Sequence, residues 1–174
     1  LAGFRVEEVV EPESTGSLVA MVFDEQGRMI ASRERGPMLL IADKDGDGKF
    51  ESVTTYCDKV ENCQGILAWG PHVFAVGSGP SDTALYRLTD TDNNGEADKV
   101  ETLFKFKGGM GEHGPHAPVL GPDGLIYVMI GNHTFVESAV APRMVTSLVE
   151  PCRAEGLDLQ IGGELYADAL GSPD

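Results

Sequence analysis

Two acidic loops, 47 residues apart, constrain this chain more than any other feature of its sequence. The first, loop one, is "DKDGDGKFE" (43–51), and the second, loop two, is "DTDNNGEAD" (90–98). Each follows a short apolar segment and precedes a segment rich in β-branched and aromatic residues. Because the same order of segments occurs twice, we expect one structural unit to repeat about every 45–50 residues.

Short β-strands dominate the chain up to about residue 135. Each candidate strand is alternating or apolar and is bounded by Gly, Pro, Asn or Asp. No comparable segment in this part has the 3.6-residue period of an amphipathic helix. The predicted strands cover residues 18–23, 28–32, 38–42, 50–56, 65–69, 72–77, 84–88, 100–106, 117–120 and 125–131.

Four strands per repeat predict an all-β, β-propeller-like fold with four-stranded blades. Propellers close with roughly 4–8 blades, whereas 174 residues hold fewer than four such units. We therefore expect about three blades of a partial propeller over residues 1–134, in a chain that is part of a longer protein. For residues 135–174 we expect an irregular tail, which is an insertion, a cap with a short helix near 144–156, or poorly ordered chain. The alternative is an irregular β-sandwich whose turns match by coincidence.

The acidic loops also predict metal sites. Both match D-x-[DN]-x-[DN]-G-x-x-[DE], in which oxygen ligands converge on a hard cation and the glycine permits a sharp turn. Loop two also meets the twelve-residue EF-hand spacing, although strands flank it. The candidate calcium ligands are Asp43, Asp45, Asp47 and Glu51, and then Asp90, Asp92, Asn94, Asp98 and Glu101. We expect a structural ion, and the alternative is a pair of turns that need no metal.

Composition limits the classes of partner. The chain has 13 Lys and Arg against 28 Asp and Glu, a net charge of −15. This argues against nucleic acid, which requires a cationic footprint, and against an anionic membrane surface. No apolar run approaches the ~20 residues that span a bilayer, so we expect no membrane insertion. Cys57 and Cys63 form either a disulfide across a short loop or two buried thiols.

Three of the four histidines lie in "GEHGPHAPVLGPDGLIYVMIGNH" (111–133). Within it, "GPDG" is explained by turn geometry alone, because proline presets φ and glycine supplies the permissive position. His113, His116 and His133 suggest a zinc or copper site. The alternative for His116 and His133 is a role in packing or hydrogen bonding. A neutral imidazole can also act as a general base near neutral pH.

This stretch resembles the glucose/sorbosone dehydrogenase-like β-propellers, whose members carry H-x-G-G-x-x-x-x-G-P-D-G-x-L-Y-V-x-x-G. The matching positions are His113, Gly114, 121–124, 126–128 and Gly131. Pro115 and His116 depart from the motif. Other segments, such as "NCQGI" and "LYRLTDTDNNGEADKVE", are similar to the planctomycete-type "membrane-bound dehydrogenase" propeller domains. The resemblance covers about residues 1–134.

The resemblance implies that His113 is the general base that removes a substrate hydroxyl proton while hydride passes to pyrroloquinoline quinone. It implies a periplasmic or secreted enzyme that oxidises a carbohydrate or alcohol with this quinone, or by electron transfer to a haem partner. The start of the chain has no signal-peptide features. The quinone ligands are not identified, and the arginines after the motif are Arg143 and Arg153. The alternatives are a non-catalytic, calcium-stabilised module that binds carbohydrate or protein, and a calcium-dependent lactonase-type hydrolase.

Overall fold

The chain folds into short strands because its apolar segments are separated by tight Gly-, Pro- and Asp-containing turns. The computed structural model describes residues 3–111 and 113–136. Within these residues it has one short helix and nine strands. They are α1 (Pro12–Thr15), β1 (Leu18–Phe23), β2 (Met29–Arg33), β3 (Pro37–Ala42), β4 (Ser52–Trp69), β5 (His72–Gly79), β6 (Asp82–Thr89), β7 (Lys99–Lys105), β8 (Pro115–Leu120) and β9 (Ile126–Ile130).

All strand pairs are antiparallel and follow chain order. Strands β1 to β7 form one seven-stranded sheet, and β8 pairs with β9 in a second sheet. The long strand β4 belongs to two units, because its first half pairs with β3 and its second half with β5. Unit 1 is therefore β1, β2, β3 and the first half of β4. Unit 2 is the second half of β4 with β5, β6 and β7, and unit 3 begins with β8 and β9. The predicted all-β, propeller-like fold with four-stranded units is confirmed.

The structure corrects the predicted strand boundaries at β4. The sequence predicts separate strands over 50–56 and 65–69, whereas one strand of 18 residues covers both. The polar segment between them suggested a connection, but it continues the strand through an irregular register. Glu61 pairs with Pro37 on one side and with Ser78 on the other. Asn62 beside it has a φ of 50°, a conformation that asparagine tolerates better than most residues.

The third unit starts with the same turn as the first. Gly27 and Gly124 both have positive φ, 78° and 81°. The amide of Gly27 donates to the carbonyl of Asp24 at 3.1 Å, and that of Gly124 donates to the carbonyl of Gly121 at 3.0 Å. This equivalence identifies β8 and β9 as the first two strands of a unit. The predicted tail from residue 137 onward, with its helix near 144–156, lies outside the described residues.

The sheets are packed on both faces. Along β5, Val73 and Ala75 contribute to the apolar cluster shared with unit 1. The alternate residues Phe74 and Val76 contribute to the cluster shared with Ile126 of unit 3. Burial on both faces explains why the central strands are continuous apolar runs rather than alternating sequences.

Both described cysteines are buried free thiols. Cys57 and Cys63 lie on β4 and are 1% and 0% exposed. The structure therefore agrees with the prediction of two buried thiols and not with a disulfide. Burial raises the pKa of Cys57, and it raises the pKa of Cys63 to about 12. Both side chains therefore act as small apolar residues of the core.

Units 2 and 3 approach each other closely at Gly65 on β4. A Cβ atom added to this glycine would lie 2.2 Å from the Cα of Ala117 on β8. Such a distance is far inside van der Waals contact, and the obstacle is backbone rather than a flexible side chain. Glycine at this position therefore lets two strands of neighbouring units cross.

We expect Gly65→Ala to lower the free energy of unfolding by about 1–3 kcal/mol, because β8 must move away from β4. Gly109→Ala is the matched control, since a Cβ atom there meets nothing within 4 Å. Chemical denaturation of both variants measures the effect. Equal stability of the two variants would contradict the close packing of units 2 and 3.

Candidate functional site

The predicted site residues lie at two opposite ends of the sheets. Antiparallel strands place successive connections at alternate ends, and β4 counts here as two strands because its two halves belong to units 1 and 2. Loop one (β3 to β4), loop two (β6 to β7) and the turn at 121–125 therefore share one end, called here the acidic end. His113 precedes β8 and His133 follows β9, so both lie at the other end. There, the amide of Lys107, just after β7, donates to the carbonyl of Phe135 at 2.9 Å and connects units 2 and 3.

Loop one folds around its own carboxylates. Asp43 accepts hydrogen bonds from the amides of Gly46 at 2.7 Å and Gly48 at 2.9 Å. Glu51, the last residue of the loop, accepts one from the amide of Lys44 at 2.9 Å. The hydrogen bond from Gly48 is the largest cause that lowers the pKa of Asp43 below its ordinary value.

Three carboxylates of loop one converge. The ligand atoms of Asp43, Asp45 and Glu51 all lie within 4.8 Å of one another. In the part of the chain that the structure describes, no other group of three or more His, Cys, Asp or Glu side chains does so. Asp47, the fourth predicted ligand, accepts a hydrogen bond from the amide of Lys49 at 2.8 Å. An all-oxygen donor set suits a hard cation such as calcium.

Loop two repeats the hydrogen bonds of loop one at an offset of 47 residues. Asp90 accepts from the amide of Gly95 at 2.7 Å, as Asp43 does from Gly48. Asp98 accepts a hydrogen bond from the amide of Thr91, seven residues before it, at 3.0 Å. Glu51 in loop one accepts the equivalent hydrogen bond from the amide of Lys44. The sequence repeat is therefore also a repeat of local structure.

The ligands predicted in loop two are held mainly by their own loop. The Asn94 side-chain amide donates to Asp92 at 3.1 Å. The hydroxyl of Thr91 donates to Asp98 at 2.5 Å, and this hydrogen bond is the largest cause that lowers the pKa of Asp98. Among the described residues Asp90, Asp92 and Asp98 do not converge within 4.8 Å as the carboxylates of loop one do, so loop one has the better geometry for a cation.

Glu101, predicted at the twelfth position of loop two, forms ion pairs on the sheet. It lies on β7, where its carboxylate contacts Nε of Arg87 at 3.0 Å and Nζ of Lys99 at 3.2 Å. Arg87 is only 5% exposed. Burial acts to raise the pKa of Glu101, but hydrogen bonds from Arg87 and Lys99 outweigh it and lower the pKa. The EF-hand-like spacing of this glutamate coincides with a cross-strand position opposite Arg87.

We expect Glu101→Gln to lower the free energy of unfolding by about 1–2 kcal/mol at neutral pH, because it removes the charge that faces Arg87. The pKa of Glu101 lies below its ordinary 4.5. The charge of Glu101 therefore contributes its full stabilising free energy above pH 4.5, and this contribution is lost as the pH falls through the pKa of the folded state. Denaturation curves at neutral and acidic pH should show the difference between wild type and variant shrinking in acid. If the variant instead loses calcium affinity at unchanged stability, Glu101 is a ligand.

His113 and His133 are brought together at the opposite end. Their ring centroids are 4.7 Å apart, and both residues are exposed. The amide of His133 donates to the carbonyl of His113 at 3.0 Å. A Cβ atom on Gly131 would lie 2.4 Å from this carbonyl, so glycine is required there. His116 is half-buried on β8, and the three ring nitrogens do not form a group within 4.8 Å. The structure thus gives a histidine pair rather than the suggested three-histidine metal site.

A cavity of about 410 Å³ opens between units 1 and 2 at the acidic end. Its polar lining includes Asp24, Arg28, Tyr56, His72 and Asp90. The guanidinium of Arg28 pairs with Asp24 at 2.7 Å. Nδ1 of His72 lies 2.8 Å from a threonine hydroxyl on β6. Sequence reasoning missed this cavity, because its residues come from two units and form no local motif.

The chain belongs to a family described as a domain of unknown function (DUF7133), whose model matches residues 1–150. No curated protein and no solved structure matched the chain. Across the described residues, no helix has the length and apolar character needed to cross a bilayer.

Proposed function

We propose that this chain is part of a propeller-like dehydrogenase that oxidises a hydroxyl or aldose group of a carbohydrate or alcohol. His113 is its general base. The observation that carries the proposal is the exposed His113–His133 pair on the "GEHG" connection before β8. An exposed imidazole can reach a substrate hydroxyl, and its motif resembles that of the glucose/sorbosone dehydrogenase-like propellers.

Backbone contacts on both sides support this role for His113. Its carbonyl is bound by the amide of His133, and the neighbouring Gly114 accepts a hydrogen bond from the amide of Gly131 at 2.8 Å. The adjacent ring of His133 restricts the orientations of the His113 imidazole. A fixed general base is more effective than a mobile one, because the proton transfer geometry is set before the substrate binds.

Pyrroloquinoline quinone would supply the hydride acceptor, and a haem partner would take the electrons onward. The described residues contribute the base, and no quinone ligand set is assigned among them. Arg143 and Arg153, the arginines that follow the motif, lie outside the described residues. The resemblance also supports a periplasmic or secreted location.

We expect turnover of an artificial electron acceptor when the chain is given the quinone, calcium and an aldose or alcohol. His113→Ala should lower kcat at least ~100-fold, the usual contribution of a general base. His133→Gln removes the adjacent ring but keeps the base, so it should lower kcat much less than His113→Ala does. Equal kcat values for His113→Ala and wild type would remove His113 from the chemistry.

We also propose that loop one binds calcium as a structural ion. Three carboxylates that converge within 4.8 Å repel one another unless a cation neutralises them. This loop and His113 lie at opposite ends of the sheets, so the ion would stabilise the connection between β3 and β4 rather than take part in proton transfer. Loop two, with the same hydrogen bonds, is the weaker candidate.

Calcium should raise the free energy of unfolding by about 2–3 kcal/mol at about 100 times its dissociation constant, because it binds only the folded loop. EDTA should reverse the effect. Asp45→Asn should abolish most of the response while keeping the side-chain oxygen that binds the amide of Asp47. Asp58→Asn, at an exposed position on β4, is the charge-matched control. Thermal unfolding that is identical with calcium and with EDTA would exclude a structural ion.

A second candidate function is a non-catalytic module that binds carbohydrate, and the cavity between units 1 and 2 favours it. Its lining combines acidic, basic and aromatic side chains with an apolar wall, and binding sites for polar ligands have this mixed character. Two results together would favour the module. The chain would turn over no member of a broad sugar and alcohol panel, and calorimetry would show that it binds a carbohydrate and that Gln26→Ala weakens this binding.

A further inference from the structure

The cavity between units 1 and 2 opens where three connections of different length meet. The turn from β1 to β2 has five residues (24–28), whereas the equivalent turn from β4 to β5 has two (70–71). A two-residue turn projects less far from a sheet than a five-residue turn, so space remains between it, the longer turn and loop two. All three connections contribute lining residues. The cavity therefore depends on the difference between two units rather than on either unit alone.

The lining of the cavity carries an excess of negative charge. Its charged groups are three carboxylates and one guanidinium, from Asp24, Glu25, Asp90 and Arg28. Asp24 is occupied by its own turn, since it accepts Nε of Arg28 at 2.7 Å and the amides of Gln26 and Arg28, both at 2.9 Å. Arg28 is the only Lys or Arg among the lining residues that the structure describes. The charges of Glu25 and Asp90 therefore have no cationic Lys or Arg partner in this lining.

Asp90 can accept hydrogen bonds from a ligand. Its two oxygens each accept one amide hydrogen bond, from Asn94 at 3.0 Å and from Gly95 at 2.7 Å. A carboxylate oxygen has about two acceptor sites, so each oxygen can accept one further donor. Asp90 is half-buried at the start of loop two. Its charge is therefore screened less by water than that of a fully exposed carboxylate, which strengthens its attraction for a cation.

The side chain of Tyr56 is a buried polar group that lines the same cavity. Tyr56 is 2% exposed, and its hydroxyl forms no hydrogen bond within the part of the chain that the structure describes. Burial raises the pKa of Tyr56, and the negative charge of Asp90 raises it further. Buried hydroxyls are normally hydrogen-bonded, so the site favours a ligand that places a polar group between Tyr56 and Asp90.

The remaining lining suits the ring of a sugar. Ile30 and Val73 are apolar and are 1% and 3% exposed, whereas the amide side chains of Gln26 and Asn93 are exposed. A sugar ring has apolar C–H groups on its faces and hydroxyls at its edge, so it can contact both kinds of side chain. The volume of about 410 Å³ lies within the roughly 300–1,000 Å³ of ligand-binding pockets.

We propose that this cavity binds an amine-bearing carbohydrate, with the ammonium group between the carboxylate of Asp90 and the hydroxyl of Tyr56. This assignment rests on the second candidate function, the carbohydrate-binding module, and names the charge of its ligand. A protonated amine has three donors and no acceptor, which matches a carboxylate and a hydroxyl oxygen. A neutral sugar would leave the charges of Glu25 and Asp90 without a partner, and an acidic sugar would be repelled. The net charge of −15 also attracts a cationic ligand.

Isothermal titration calorimetry of the whole 174-residue chain tests this assignment at about pH 6.5, where an aliphatic amine is protonated. Three sugars serve as probes. Glucosamine carries the ammonium group, N-acetylglucosamine carries the same nitrogen without a charge, and glucose has a hydroxyl at that position. We expect glucosamine to bind at least about tenfold more tightly than either neutral sugar. Added salt should weaken the binding of glucosamine more than that of glucose.

Substitutions in the cavity test the position of the ammonium group. Asp90→Asn removes the charge and keeps a side-chain oxygen, so it should lower the affinity for glucosamine at least about tenfold and change that for glucose little. Tyr56→Phe removes only the hydroxyl, should also weaken glucosamine binding, and replaces Asp90→Asn if circular dichroism shows that variant to be unfolded. Glu96→Gln is the matched control, because this exposed residue of loop two is not part of the lining. It should bind glucosamine like wild type.

The results separate the charge of the ligand from the carbohydrate module itself. A neutral sugar that binds at least as tightly as glucosamine, or cavity variants that bind glucosamine like wild type, would overturn the assignment and leave the module in place. Cyclohexylamine that binds as tightly as glucosamine would overturn it too, because the cavity would then take amines without a sugar ring. If none of the three sugars binds, the assignment and the module both fail.

Discussion

Face-to-face packing of consecutive sheets is the interaction on which the rest of this structure depends. Strands with apolar side chains on both faces cannot form a stable single sheet in water, because one face would stay exposed. Along β5 the alternate side chains fill two different clusters, one on each side of the sheet. The connections at both ends, with their acidic and histidine residues, are held in place by this stack.

The acidic loops show how the chain satisfies backbone amides where strands end. Loop residues cannot use ladder hydrogen bonds, so aspartate and glutamate side chains accept hydrogen bonds from amides of the loop. Asp43 and Asp90 do this in the same way. The same carboxylates that fold the loop also concentrate negative charge, and this links the local structure of loop one to its affinity for a cation. A shared hydrogen-bond network does not require a shared ligand, because loop two uses Asn94 and Thr91 to occupy its carboxylates.

The sequence predicts the repeat and the loops well, because both depend on local patterns. Turn residues at an offset of 47 define loop one and loop two before any coordinates are known. The strand prediction from the sequence is wrong at β4. The polar residues between 57 and 64 suggest a connection, but pairing with β3 and β5 keeps them extended. The spacing of a motif also does not reveal that Arg87 lies opposite Glu101 on β6 and pairs with this predicted ligand. The cavity between units 1 and 2 depends on contacts between distant residues and has no sequence signal.

The sharing of β4 between two units has a consequence for how this fold can be divided. A repeat whose borders fall in loops can be cut, duplicated or shuffled without breaking a strand. Here the border falls near Glu61, inside an 18-residue strand that pairs with both β3 and β5. Units 1 and 2 are therefore expected to unfold as one cooperative block, with hydrogen exchange that is similarly slow in both. A domain inserted between these units would disrupt the pairing of β4 with both β3 and β5, whereas the connection between β7 and β8 offers a border between separate sheets.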